Sequence, residues 1–464
     1  MALKVLHVIP SVAPRDGGPS HAVLKMTSEL RKAGLNVTLA TTDADGSGRL
    51  DVRTGTVEEH RGVPTIFFPM QFSESFKYSR PFASWLAASV PEFDCAHIHG
   101  VFSHAPMAAA RACRRSGIPY VVRPLGALEE WSLSQKSGRK RVALAVGARK
   151  MLVGAAAIHY TTERERRESE RMLGLTNGIV IPLGVEMPAA RGANPSSAPR
   201  PPLPAGGEGT GERFAAKTIL FLSRLHPKKG VELLLEAFAG MTARKAETAR
   251  PHPLPPLPPG EGVAGGPGER SRTRSDTGHF RLVIAGSGEP DYESRLRRLA
   301  ESLGISEKVT FPGWLDGDAK TAALAGADLF VLPSSQENFG LAVLEAMAAG
   351  VPVAVSREVD LSDEVEASGA GWVFERTVGG IAATLAEALL DLTPLPPLPP
   401  GEGVAERPEE RSGADERRSR GARGRALVER KFLWPEIAKE LEEMYGRITS
   451  PRPHGHPSRV DLSS

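Results

Sequence analysis

Two series of alternating strand-like and helix-like segments constrain this chain more than any other feature, the second series starting where the first has run out. The first opens on KVLHVI (Lys4–Ile9), a short unbroken apolar run of the kind a strand buried on both faces requires. A glycine-bearing loop, PSVAPRDGGPS, follows. In the next segment, SHAVLKMTSELRKAG, Val23, Met26, Leu30 and Ala33 fall on one helical face and Gly34 supplies the stop. NVTLATT, DCAHIHG and PYVVRPLG read as further strands, the last two flanking the alanine-rich helix MAAARACRRSG. The second series runs TILFLSR, VELLLEAFAG, FRLVIAG, DYESRLRRLAESLG, KVTFPGW, DAKTAALAG, DLFVLPS, LAVLEAMAAG and VPVAVS. Strand–helix alternation of this kind makes parallel sheets covered by helices. The expected fold is therefore α/β, with two Rossmann-like doubly wound parallel-sheet domains facing a cleft. Ligands of such sheets bind outside the carboxyl ends of the strands, so the cleft between the domains is the expected site.

Three tracts interrupt this order. PLPPLPPGEGVA occurs at Pro253–Ala264 and again at Pro394–Ala405, and PPLPAGGEG at Pro201–Gly209 is a looser copy. Each sits in a Pro-rich, Gly/Glu-rich and then Arg-rich stretch with too few aromatic and β-branched residues to offset chain entropy, so disordered inserts are expected. The resulting plan is an N-terminal domain over 1–190, an insert over 191–213 and a C-terminal domain over 214–392 that carries a second insert at 243–278. A third insert over 393–420, a C-terminal helix over 421–448 that packs back across the domains, and a disordered tail over 449–464 complete it. Proline-rich repeats also suit an adaptor that presents them to partner domains.

Composition excludes several functions. With 58 Lys and Arg against 55 Asp and Glu, the net charge of +3 argues against nucleic acid as partner. Cys95 and Cys113 cannot build a disulfide framework, so a reducing cytoplasm is expected. MALKVLHVIP has only a short apolar core and no small-residue cleavage site, so no signal peptide is expected there. The longest apolar stretch, Val142–Ile158, is broken by Arg149 and Lys150, short of the roughly 18–20 residues of a membrane span. Arg139–Arg141 and Arg164–Arg171 allow peripheral contact with the inner face of an anionic membrane, and equally read as solvated faces.

Three loops at strand ends carry the candidate chemistry. Gly17 and Gly18 in RDGGPS let backbone approach a ligand just before a helix N-terminus, or simply make a turn. Arg224 and Lys229 in SRLHPKKGVELLLEAF could hold a diphosphate, one as a fork and one as a point charge, or form a solvated basic loop. In SSQENFGLAVLEAMAAGVPVAVS, Glu337 lies in a loop and Glu345 eight residues on, in apolar surroundings inside a helix that opens near Phe339–Gly340. Ionised carboxylates there suit vicinal hydroxyls, and the amides of Phe339, Gly340 and Leu341 would face the same site with a helix dipole behind them.

The E-x7-E element within ENFGLAVLEAMAAGVPV closely resembles the signature of the retaining glycosyltransferases of the GT-B fold, the family 4 group. The likeness extends in order through the basic loop, FRLVIAGSGEPDY, VTFPGWL, HIHGVFSH, RPLGALEEW, and TTERERRESE before IVIPLGVE. It implies that Gly17 and Gly18 contact the donor sugar or its phosphates, that Arg224 and Lys229 bind the diphosphate of a nucleotide sugar, and that the backbone of Asn338, Phe339, Gly340 and Leu341 offers amides to phosphate. It further implies that Glu337 holds the transferred sugar, that Glu345 accepts from the ribose hydroxyls, and that His99 and Arg123 lie near the sugar or acceptor, His99 with a catalytic part beside Glu337, Arg224 and Lys229. The chain departs from the family pattern at Leu125, where a histidine is usual, at Leu183, where asparagine is usual, and in SREVDLSDEV, which replaces a Gly-Gly-x-x-E.

The implied activity is transfer of a hexose from a nucleoside-diphosphate sugar to a saccharide or lipid-linked acceptor. The cations and the helix N-terminus would stabilise the departing diphosphate, so neither metal nor cofactor is expected. His97 and His99, two apart on a strand, share a face and read as core or site histidines rather than a metal pair. A nucleotide-sugar epimerase of the same fold and a non-catalytic adaptor are the competing readings.

Overall fold

The computed structural model describes residues 2–134, 137–188, 216–248, 280–389 and 413–450. The proline repeats, the 191–213 tract and the chain beyond Ser450 lie outside the described residues. The chain divides into two compact units, Met1–Glu186 with Lys431–Ser464, and Met187–Arg430.

The first unit is built on β1 (Lys4–Ser11), β2 (Asn36–Thr42), β3 (Val57–His60), β4 (Val63–Phe68), β5 (Cys95–His99), β6 (Tyr120–Arg123), β7 (Ala157–Tyr160) and β8 (Gly178–Val180). Their order is β8-β7-β6-β5-β1-β2-β4-β3, parallel throughout except for the β3–β4 pair. The second unit holds β9 (Lys217–Leu222), β10 (Phe280–Ala285), β11 (Val309–Gly313), β12 (Leu329–Leu332), β13 (Val353–Ser356) and β14 (Gly371–Phe374), ordered β11-β10-β9-β12-β13-β14 and wholly parallel. Their central residues, such as Val5, Leu6, Ile98, Ile219, Phe221, Phe330 and Val353, are buried, which is why these strands read as continuous apolar runs.

Topology decides where chemistry can sit. From β1 the chain runs outward to β2 and returns with β5 on the other side of β1; from β9 it runs outward through β10 and β11 and returns with β12 on the other side of β9. Each reversal leaves a crevice at the strands' carboxyl ends, where loops diverge. Eight helices matter below: α1 (Gly18–Lys32), α2 (His104–Ser116), α3 (Glu163–Leu173), α4 (Val231–Thr248), α5 (Gly317–Ala325), α6 (Leu341–Ala348), α7 (Gly413–Lys431) and α8 (Trp434–Thr449).

The expected insert boundaries need correction. Residues 243–248 continue α4, as the helix-forming sequence ARKAET favours. The third insert was expected to reach Arg420, yet α7 begins at Gly413. Its Gly- and Arg-rich composition is a packing face. A Cβ on Gly421 would lie 2.1 Å from the Gly350 carbonyl oxygen, and one on Gly424 would lie 3.1 Å from Met347. Arg417, Arg420 and Arg423 donate to the carbonyls of Ala388, Gly371 and Gly369 at 3.0, 2.6 and 2.8 Å. The single C-terminal helix expected over 421–448 is two, α7 in the second unit and α8 in the first. They part at Leu433, in extended backbone two residues before Pro435, which sits in the first turn of α8.

Candidate active site

In the second unit, the loops leaving β9 and β12 meet at the switch point. The turn Pro227–Lys229 ends at Gly230, whose φ of +70° and whose approach to Pro333 admit no side chain: a Cβ would lie 2.2 Å from the Pro333 carbonyl oxygen. Ser335 N donates to the Lys228 carbonyl at 2.7 Å, so the two loops are tied backbone to backbone. This docking carries the Lys229 ammonium onto the Glu337 carboxylate. The Glu337 segment is held from its far side, where Asp360 N donates to the Glu337 carbonyl at 3.0 Å.

Lys229 is buried, and burial, with the charges of Lys228 and Arg224 adding to it, pushes its ammonium down to about 7. Arg224 is exposed. Gly340, at φ +78°, caps α6, whose first-turn amides begin at Leu341, just past Glu337 and Asn338; Phe339 is buried. Glu345, half-buried, accepts from Lys320 Nζ of α5 at 2.6 Å. A buried ammonium opposed by one partly open carboxylate, with a guanidinium and a helix N-terminus close by, suits a polyanion bearing hydroxyls.

In the first unit, Gly17 has φ +70° and ψ −132°, a conformation that needs glycine, whereas a Cβ on Gly18 would meet nothing within 4 Å. His99 and Arg123, both buried, end β5 and β6 in register. Arg123 Nε and Nη1 and His99 Nδ1 have no hydrogen-bond partner among the described residues. Burial pushes Arg123 down to about 10, and the Glu165 carboxylate opposes that. Leu125 stands at φ +62°, unusual for a branched residue. Its neighbour Gly126 donates to Glu165 Oε1 at 2.9 Å, while Thr161 N and Oγ1 donate to Oε2 at 2.9 and 3.0 Å.

The ring nitrogens of His7, His97 and His99 lie within 4.8 Å of one another, a set able to ligate a metal ion. They are instead bonded to one another, to His159 and to Tyr445 of α8. Sequence reasoning passed over His7, His159, Glu165, Lys320 and Tyr445. His7 was findable: a polar residue inside a buried run, opposite His97 in register. Lys320 and Tyr445 carry no signal, because their role exists only across elements distant in sequence.

The sequence matches the family described as Glycosyl transferase 4-like domain over residues 17–184 and that described as Glycosyl transferases group 1 over 271–395. The chain belongs to the group 1 glycosyltransferases. Among the relatives of this glycosyltransferase, D-inositol 3-phosphate glycosyltransferase 2 of Catenulispora acidiphila is 28% identical over 60% of this chain and 59% of its own. Phosphatidyl-myo-inositol mannosyltransferase of Mycobacterium leprae is 27% identical over 81% and 83%. The first curated relatives are matched over 36% to 59% of their own length. Among solved structures, HepE of Anabaena in complex with UDP and glucose is 16% identical, with a TM-score of 0.63 over 96% of this chain and 100% of that one, a likeness of fold. The two α/β units of this glycosyltransferase are therefore those of the GT-B fold. Among the described residues no helix is long and apolar enough to cross a membrane.

Proposed function

We propose that this glycosyltransferase moves a hexose from a nucleoside-diphosphate sugar to a saccharide or lipid-linked acceptor, with retention and without a metal. The observation that carries the reading is Lys229, a buried cation lodged against Glu337 at the switch point of the second sheet, with Arg224 exposed close by. A buried lysine is costly unless a stronger anion completes its site. A diphosphate bound by Lys229 and Arg224 does so and leaves Glu337 to accept from the sugar.

In the reaction the bond between the sugar C1 and the phosphate oxygen breaks, and C1 bonds to the acceptor oxygen on the same face. The acceptor's proton passes to the departing phosphate oxygen. Charge grows on the diphosphate as it leaves, and Lys229, Arg224 and the α6 amides stand fixed to stabilise it, which is usually the largest catalytic contribution. Glu345 would accept from the ribose hydroxyls, Gly17 and Gly18 would contact the donor, and His99 and Arg123 would hold a sugar or acceptor hydroxyl.

The test is turnover of labelled UDP-, GDP- and ADP-sugars by the native chain and by Glu337→Ala and Arg224→Ala. Both variants are expected to lose turnover with the donor that the native chain uses; full turnover in both would sink the assignment. Deleting the proline-rich tracts separates the adaptor reading: retained donor binding and transfer would sink it as the main role.

A further inference from the structure

Four buried histidines and one tyrosine in the first unit form a single chain of hydrogen bonds, and one carbonyl fixes its direction. His159 Nε2 meets the Ile181 carbonyl oxygen at 2.7 Å. A carbonyl only accepts, so His159 carries its proton on Nε2. The next contact is His159 Nδ1 to His97 Nε2 at 3.2 Å, followed by His97 Nδ1 to the Tyr445 hydroxyl at 2.7 Å. The same hydroxyl meets His7 Nε2 at 3.3 Å, and His7 Nδ1 meets His99 Nε2 at 3.0 Å. All five side chains are wholly buried.

Each ring is neutral. Burial first, and then Arg123, pushes His159 down to about 3; burial first, with neighbouring rings and Arg123, pushes His7 down to about 3 and holds His97 and His99 well below the usual range. Burial likewise keeps the Tyr445 hydroxyl protonated. A neutral imidazole has one donor and one acceptor, so the first bond dictates the rest. His97 donates from Nε2 to His159, Tyr445 donates to His97 Nδ1, His7 donates from Nε2 to the tyrosine oxygen, and His99 donates from Nε2 to His7 Nδ1. The chain ends in a bare lone pair on His99 Nδ1, the atom that has no partner among the described residues. Arg123, paired in register with His99, has two donors equally unmatched. An open acceptor near open donors is the complement of a hydroxyl.

We propose that Tyr445 is a positioning residue: its hydroxyl joins the His159–His97 pair to the His7–His99 pair and so holds His99 in the tautomer whose Nδ1 accepts. Without that hydroxyl, the Ile181 carbonyl still fixes His159 and His97. His7 is left with a buried N–H and no acceptor, nothing then fixes the direction of the His7–His99 pair, and the reversed form, with a proton on His99 Nδ1, becomes populated beside the native one.

The test is nitrogen NMR of the full-length chain labelled at histidine, at neutral pH without substrate. In the native chain all four histidines are expected to be protonated on Nε2 and bare on Nδ1. In Tyr445→Phe, His7 and His99 are expected to populate both tautomers while His159 and His97 keep one. If sugar transfer is as proposed above, kcat falls roughly tenfold in Tyr445→Phe with the donor KM within about twofold. A native His99 protonated on Nδ1, a charged ring in the chain, or stoichiometric zinc in the purified protein overturns the proposal, and these need no folded variant. Unchanged His99 resonances in Tyr445→Phe overturn it too, and mixed tautomers with unchanged kcat overturn the positioning role. The tautomers are read without substrate, so their failure is distinct from failure of the transfer reading.

Discussion

Lys229 and Glu337, 108 residues apart in sequence, close on each other because two loops from opposite sides of a topological switch are pinned backbone to backbone. The lysine is buried and its side chain 6% exposed, the carboxylate's 23%. The asymmetry matters: the carboxylate can turn toward a ligand while the cation stays fixed.

A double-mutant cycle reads that arrangement. Lys229→Met is expected to lower kcat/KM by about 10²–10³, the scale for removing one preorganised donor from a developing anion. Glu337→Gln is expected to lower it as well. Because the proposal has the two groups act on one ligand, the double variant should fall short of the summed losses by about 0.5–3 kcal/mol. Strictly additive losses would refute a shared site.

Donor affinity should fall as pH rises. Lys229 sits at about 7 in the donor-free chain, and a bound diphosphate favours its charged form. Below that value the proton is already present; above it, binding must take a proton up. His226 close by is held below its usual value, chiefly by burial, and does not titrate in that window. Calorimetry at pH 8 in buffers of different ionisation heat is expected to show net proton uptake, and Lys229→Arg to abolish it. Uptake that persists in Lys229→Arg would assign it elsewhere.

The strands were legible because a parallel sheet buried on both faces leaves unbroken apolar runs such as KVLHVI and TILFLSR. The positions of Glu337 in a loop and Glu345 inside the following helix were legible through one local motif. What was not legible depended on partners distant in sequence. Arg417 and Arg420, in the first turns of α7, read as disorder, because their value lies in the carbonyls of Ala388 and Gly371. Lys320 was silent for the same reason, since only the packing of α5 near α6 puts it on Glu345.

Two glycines on one stretch of chain should respond in opposite ways to alanine. At Gly230 the backbone is left-handed and a Cβ would overlap the Pro333 carbonyl. Gly230→Ala is expected to cost about 1–3 kcal/mol for the conformation alone, and to lose donor turnover by withdrawing Lys229. Gly240, in the middle of α4, has nothing within 4 Å of such a Cβ. Gly240→Ala is expected to gain about 0.5–1 kcal/mol and leave turnover unchanged. Denaturant midpoints with turnover on the same samples decide both.

Glu165 is expected to matter most for the first unit's stability. Thr162 caps α3 by accepting from Glu165 N at 3.0 Å, which sets the glutamate in the first helical turn with its carboxylate turned inward. There the carboxylate takes three hydrogen bonds from Gly126 and Thr161 and opposes the buried charge of Arg123. Removing it strands those donors, frees the strained turn at Leu125 and leaves Arg123 without that countercharge, so Glu165→Ala should cost about 3–5 kcal/mol. Glu165→Gln keeps an acceptor oxygen but loses the charge and is expected to fall between. The loss should appear in the unfolding transition that Trp85 and Trp434 of the first unit report. Nucleoside-diphosphate affinity, which the proposal assigns to Lys229 and Arg224 in the second unit, should hold below that transition. A shift under about 1 kcal/mol would mean that Arg123 finds its compensation elsewhere.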